Sequence, residues 1–170
     1  MNTTSVAAIN RIISGKSNPY KKNGAWFQCN ETGKFGVTDS YCCVLYDNDF
    51  DVSIDDMEYQ PISLNASKLF ASFNNEFEMY SNNHMDDVSV EEVVFMYQEC
   101  NKYRKKNSMW YCLKRYGVYY SIKLLRDVCE ALSSNSVKIY YPVTYTGIKS
   151  DKPIVIVGEN GMGLIMPIGN

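Results

Sequence analysis

The sequence predicts an α+β domain in which an antiparallel sheet carries helices on one face. Three observations lead there. Two segments, one near the start and one around residue 125, repeat apolar residues at helical spacing; several others alternate as strands do; and two apolar runs near the C-terminal end are joined by a glycine-bounded turn. With 170 residues, 45% of them hydrophobic, the chain can bury one core and hardly two.

Val6, Ala7, Ile9, Ile12 and Ile13 recur at helical spacing, so residues 5–14 read as a helix capped by Thr4 or Ser5 and stopped by Gly15. After a turn-rich stretch, Ala25-Trp26-Phe27-Gln28-Cys29, Lys34-Phe35-Gly36-Val37 and Tyr41-Cys42-Cys43-Val44-Leu45-Tyr46 read as a small meander. The middle holds a weak helix at 65–73 and a stronger one at 89–106. There Ser89 and Glu92 make a capping box, and Val90, Val93, Val94 and Tyr97 supply an apolar stripe. Residues 110–113 and 117–120 look extended. Ser121 caps a helix running to residue 133, with Ile122, Leu125, Cys129 and Leu132 on one face. Val137, Ile139, Tyr141, Val143 and Tyr145 then alternate with Lys138, Tyr140, Pro142 and Thr144 as a strand, which Pro142 should place at an edge or deprive of one ladder bond. Runs 153–157 and 163–168 close the chain as a hairpin through Gly158-Glu159-Asn160-Gly161, because Asn-Gly readily takes the positive φ of a tight turn.

Composition removes several classes. A core-forming fraction of apolar residues with 21% charged argues against wholesale disorder. No apolar run approaches the roughly 18 residues that span a bilayer, and Met1-Asn2-Thr3-Thr4 does not open a secretory signal, so a soluble, cytoplasmic protein without membrane contact is expected. The six cysteines, at 29, 42, 43, 100, 112 and 129, spell neither a disulfide ladder nor a zinc site; Cys42, Cys43 and Cys129 should pack as small hydrophobes. The single histidine, His84, sits in a polar stretch with nothing to hold it against a nucleophile. Asp47, Asp49, Asp51, Asp55 and Glu58 fall near calcium-loop spacing, but Val52 occupies the position that needs glycine, and an acidic surface loop is the better reading. No nucleophile–base pair, phosphate-cradling loop or metal spacing is present, so no enzyme, cofactor or metal is expected.

The net charge of −2 hides a segregation: residues 41–100 hold thirteen acids and one base, Lys68, whereas residues 101–126 hold eight bases and no acid. Lys102, Arg104, Lys105, Lys106, Lys114, Arg115, Lys123 and Arg126, interleaved with Tyr103, Trp110, Tyr111 and Tyr116, could neutralise phosphates; equally, the cations at 102–106 suit the negative end of the preceding helix.

Several of these elements together resemble the bacterial DNA polymerase sliding clamp (beta subunit) family. The resemblance rests on Tyr119-Tyr120-Ser121-Ile122-Lys123-Leu124-Leu125 entering a helix, the proline-led strand Lys152-Pro153-Ile154-Val155-Ile156, the ending Leu164-Ile165-Met166-Pro167-Ile168, and Phe35-Gly36-Val37-Thr38-Asp39-Ser40-Tyr41, similar to the family's Thr-Asp-Gly turn. It covers one clamp domain, with a core at about 1–46 and 109–170 and an acidic, helical insertion at about 47–108. What it implies is a DNA-clamp-like α+β domain with two helices on one face, without catalytic chemistry, associated with DNA replication or its regulation. Six such domains would form a ring around duplex DNA, which for this chain requires self-association. Arg11, Lys16, Lys123 and Arg126 would face the DNA backbone. Thr38, Ser40, Tyr41, Met166, Pro167 and Ile168 would form a pocket for clamp-binding peptides of replication proteins, with Ser40 standing where the family has glycine. The alternative is an interaction or adaptor module that keeps the fold without binding DNA.

Overall fold

A computed structural model describes residues 3–16, 24–28, 34–47, 85–102, 112–115, 118–132, 134–144, 147–148 and 152–168. The expected helix at 65–73, His84 and the acidic loop beyond Asp47 lie outside them. In chain order the elements are α1 (Thr3–Ile13), β1 (Ala25–Gln28), β2 (Phe35–Thr38), β3 (Cys42–Tyr46), β4 (Met85–Ser89), α2 (Val90–Lys102), β5 (Cys112–Arg115), β6 (Val118–Ser121), α3 (Ile122–Ala131), β7 (Ser136–Tyr140), β8 (Val143–Thr144), β9 (Gly147–Ile148), β10 (Ile154–Gly158) and β11 (Gly161–Ile165).

The helix ends obey local chemistry. Gly15 takes a left-handed φ of 63°, while its N–H and that of Lys16 close onto Ile12 and Arg11, a Schellman stop. Ser89 caps α2 by accepting from the Glu92 N–H at 3.1 Å, and Ser121 caps α3 by accepting from Leu124 at 3.4 Å.

Seven strands form one antiparallel sheet in the order β1-β2-β3-β11-β10-β7-β4. The two ends of the chain therefore meet at its centre: β11 pairs with β3, placing Ile165 opposite Cys42 and Leu164 opposite Cys43. Strand alternation sorts the core into two faces. Trp26, Val37, Val44, Tyr46, Ile139, Ile154, Ile156 and Ile165 join the helices, packing with Ile9 and Ile12 of α1 and Leu125, Val128 and Cys129 of α3. Phe27, Cys43, Tyr140, Val155 and Leu164 form a second buried cluster. Cys42, Cys43 and Cys129 are buried thiols, as their apolar settings suggested, and Cys100 is exposed.

The α+β architecture is as expected; its detail differs in three ways. Helix α3 packs between α1 and α2, so three helices, not two, share the layer. Residues 85–102, within the stretch expected as an insertion, supply that third helix together with β4, an edge strand paired with β7 from Met85 opposite Tyr140 to Ser89 opposite Ser136. Finally, β7 is interior, lying between β10 and β4. Pro142, unable to donate to the ladder, does not sit in an edge strand but ends this one after Tyr140, and the alternating pattern resumes as the separate pair β8–β9.

The closing hairpin turns through Glu159 and Asn160 with Gly158 opposite Gly161. Its positive φ, 151°, falls on Gly161 rather than Asn160, and a Cβ there would lie 2.0 Å from the Leu45 carbonyl oxygen of β3. Glu159 donates its N–H to Ser134 Oγ at 2.7 Å and Asn160 its side-chain amide to the Leu132 carbonyl at 3.0 Å, tying this turn to the end of α3.

Candidate functional site

The β2–β3 turn is built by one buried carboxylate. Asp39, 1% exposed, accepts at Oδ1 from the N–H groups of Tyr41 at 2.9 Å and Cys42 at 2.8 Å. Thr38 Oγ1 donates to the Cys42 carbonyl at 2.7 Å and accepts from the Ser40 N–H at 3.2 Å. Ser40 is consequently held at φ 75°, the left-handed region that glycine occupies without steric cost.

After β11 the chain does not continue as a strand to residue 168. The Met166 N–H donates to the Tyr41 carbonyl at 2.8 Å, and the Ile168 N–H donates to the Tyr119 carbonyl at 2.8 Å, so Pro167 carries the tail from the main sheet to β6. Of the six residues expected in the pocket, Tyr41 and Met166 are thus joined by a backbone hydrogen bond, Thr38 and Ser40 belong to the same turn as Tyr41, and Ile168 lies beside Tyr119. Met166 is 37% exposed, and Tyr41, Pro167 and Ile168 are half-buried. The arrangement offers thioether, ring and aliphatic surface beside backbone polar groups, suited to contact with an apolar peptide and not to acid–base chemistry. Burial pushes up the pKa of the nearby Cys42 and Cys43 thiols, with Asp39 adding to it, so neither is a nucleophile at neutral pH.

The four cations expected to face DNA are placed differently from one another. Arg11 reaches from α1 to α3, its Nε 2.6 Å from Asp127 Oδ1 and its guanidinium also paired with Glu130. Arg126 donates to the same Asp127 oxygen from Nε at 2.9 Å and from a terminal nitrogen at 2.6 Å, and its guanidinium lies 4.0 Å from the centre of the Tyr97 ring on α2. Burial opposes the Arg126 charge, but Asp127, together with Tyr97 and Glu130, outweighs it and holds the guanidinium above its ordinary pKa. Asp127 itself is fully buried. These groups are a lock between helices. Lys16 stands exposed just past α1, and Lys123 is half-buried on α3. Altogether the three helices carry four bases and five acids, so the layer is not electropositive.

Of the basic block, Lys102 is exposed and paired with Glu99, and Lys114 and Arg115 lie on β5. Arg104, Lys105 and Lys106 are outside the described residues. Asp47, the first acid of the supposed calcium loop, pairs with Lys34 at 2.8 Å. Among the described residues no group of three or more His, Cys, Asp or Glu side chains is placed to hold a metal, and no helix is long and apolar enough to cross a membrane.

Sequence reasoning missed Asp127 and Asp39 as organising residues. Asp127 had a signal, an acid flanked by Arg126 next to the apolar stripe of α3; Asp39 had the Thr-Asp turn around it.

No family model matches the sequence, and no curated protein matches it. Among solved structures the chain is similar to the DNA polymerase III beta subunit of Thermotoga maritima, with 13% identity and a TM-score of 0.34 over 81% of this chain and 42% of that one. The chain thus spans less than half the length of that protein.

Proposed function

We propose that this chain is a non-enzymatic, clamp-like protein that acts at DNA replication or its control by holding short peptides of replication proteins against the turn and tail. The observation that supports this reading most is the junction of residues 38–41 with residues 166–168, far apart in sequence and joined by the hydrogen bond from Met166 to Tyr41 at 2.8 Å. The resemblance in sequence assigns both segments to a peptide pocket. Labelled synthetic peptides tiling a bacterial replicative DNA polymerase provide the test, read by fluorescence anisotropy. At least one should bind the full chain, and Met166→Glu, which alters a partly exposed side chain, should abolish that binding with the melting curve unchanged. Absence of any binding, or equal binding by the variant, overturns the proposal.

The charge of the helix layer favours a second reading, an adaptor module that keeps the fold and leaves DNA aside. With Arg11 and Arg126 engaged by Asp127 and Glu130, neither guanidinium is open to contact with a DNA backbone. Duplex binding that falls steeply with salt and needs Lys16 and Lys123, together with a hexamer in light scattering, would support a DNA-encircling ring. No duplex binding at low salt and a monomer would support the adaptor.

A further inference from the structure

A groove of about 390 Å³ runs between α1 and α2 above the C-terminal end of α3, lined by Thr4, Val90, Glu91, Val94, Phe95 and Gln98 with Glu130. Its position follows from helix geometry. Val93 faces the core at 0% exposure, which turns Val90, Val94 and Gln98 along the flank of α2 and leaves Phe95 60% exposed. A phenyl ring this exposed on an ordered helix has surrendered its burial energy, and the neighbouring valines extend it into an apolar strip. Charge gives the strip a sign. Both charged residues in the lining, Glu91 and Glu130, are acids. Glu130 is shared with Arg11 and Arg126, so Glu91, which is exposed, is the acid of the lining that no ion pair engages among the described residues.

We propose that this groove docks a short cationic amphipathic segment of a protein partner. A large apolar side chain would seat against Val90, Val94 and Phe95, with lysine or arginine on its flank meeting Glu91. Nucleic acid is the wrong sign for this rim, which distinguishes the groove from the DNA-facing role the helix layer has in the clamp resemblance. The proposal is independent of the turn and tail surface.

The probe is a labelled leucine–lysine peptide of about four helical turns, with a leucine–glutamate counterpart, titrated into the full chain by anisotropy. The lysine peptide should bind, more weakly as salt is raised, and the glutamate peptide should not. Phe95→Ala should weaken binding about tenfold and Glu91→Gln about threefold, as expected for a central aromatic anchor and a rim charge. Both side chains are exposed, so the variants should melt as the parent does, and Met166→Glu should bind the peptide normally. Binding unaffected by Phe95→Ala, or equal for the two peptides, overturns the proposal. So does Phe95-dependent dimerisation without peptide binding, which would make a second copy the occupant.

Discussion

Asp127→Asn tests the reading of the helix layer as an electrostatic lock. The substitution keeps shape and removes one charge from a position that is fully buried between two guanidiniums, at 2.6 Å from Arg11 Nε and 2.6 Å from the nearest Arg126 nitrogen. Unit charges centred about 4 Å apart attract by about 4 kcal/mol at an effective dielectric near 20. Asp127 faces two such partners, but their mutual repulsion and the cost of burying the carboxylate offset much of the second contact. Breaking a buried pair typically costs 3–5 kcal/mol, and since Arg11 keeps 27% exposure the lower end, about 3 kcal/mol, applies. For a chain of this size that corresponds to a fall in Tm of roughly 6–12 °C. Guanidinium denaturation followed by circular dichroism measures it. A double-mutant cycle with Arg11→Met should return a coupling of about 1–3 kcal/mol, since the contact joins separate helices. A loss below about 1 kcal/mol, or additive variants, would refute the lock and return both arginines to solvent, where they could serve phosphate contact.

Three further outcomes follow from the same structure. Ser40→Gly should stabilise by about 0.5–1 kcal/mol, because φ 75° costs a non-glycine residue more than glycine loses in unfolded-state entropy; a lower denaturation midpoint would count against the turn as described. Burial pushes the Tyr120 phenol up to about 12 and raises Tyr46 as well, with the Cys43 thiolate adding to the latter. The neutral phenols are favoured in the folded state, so their contribution is complete below the unfolded value of about 10 and is lost as pH rises through 12; urea midpoints measured across that window should fall steadily. Cys42, Cys43 and Cys129 should resist thiol labelling until the protein unfolds, whereas exposed Cys100 should react in the native state, as peptide mass mapping would show.

Local chemistry was legible in the sequence where one segment decides the outcome. Gly15 stops α1, Ser89 and Ser121 cap the next two helices, and the closing hairpin forms through residues 158–161. What required tertiary contact was not legible. Met85-Asp86-Asp87-Val88-Ser89 lacks the apolar alternation of a core strand because it pairs on one edge only and keeps three positions exposed. Its neighbour α2 falls in the stretch that the family resemblance implies as an insertion, and Val93 closes the core beside α3. The arginines read as free cations because the sequence does not reveal that α3 lies between two other helices. The junction of turn and tail depends on pairing β3 with β11, a long-range contact that periodicity does not reveal.

Hydrogen–deuterium exchange of the full chain, with and without a polymerase-derived peptide that binds it, tests the peptide-holding role most directly. The account predicts added protection confined to the backbone around residues 38–42, Tyr119 and 166–168. Protection that instead falls on α1, α2 or α3, or a bound peptide that leaves the turn and tail exchanging as before, would contradict it.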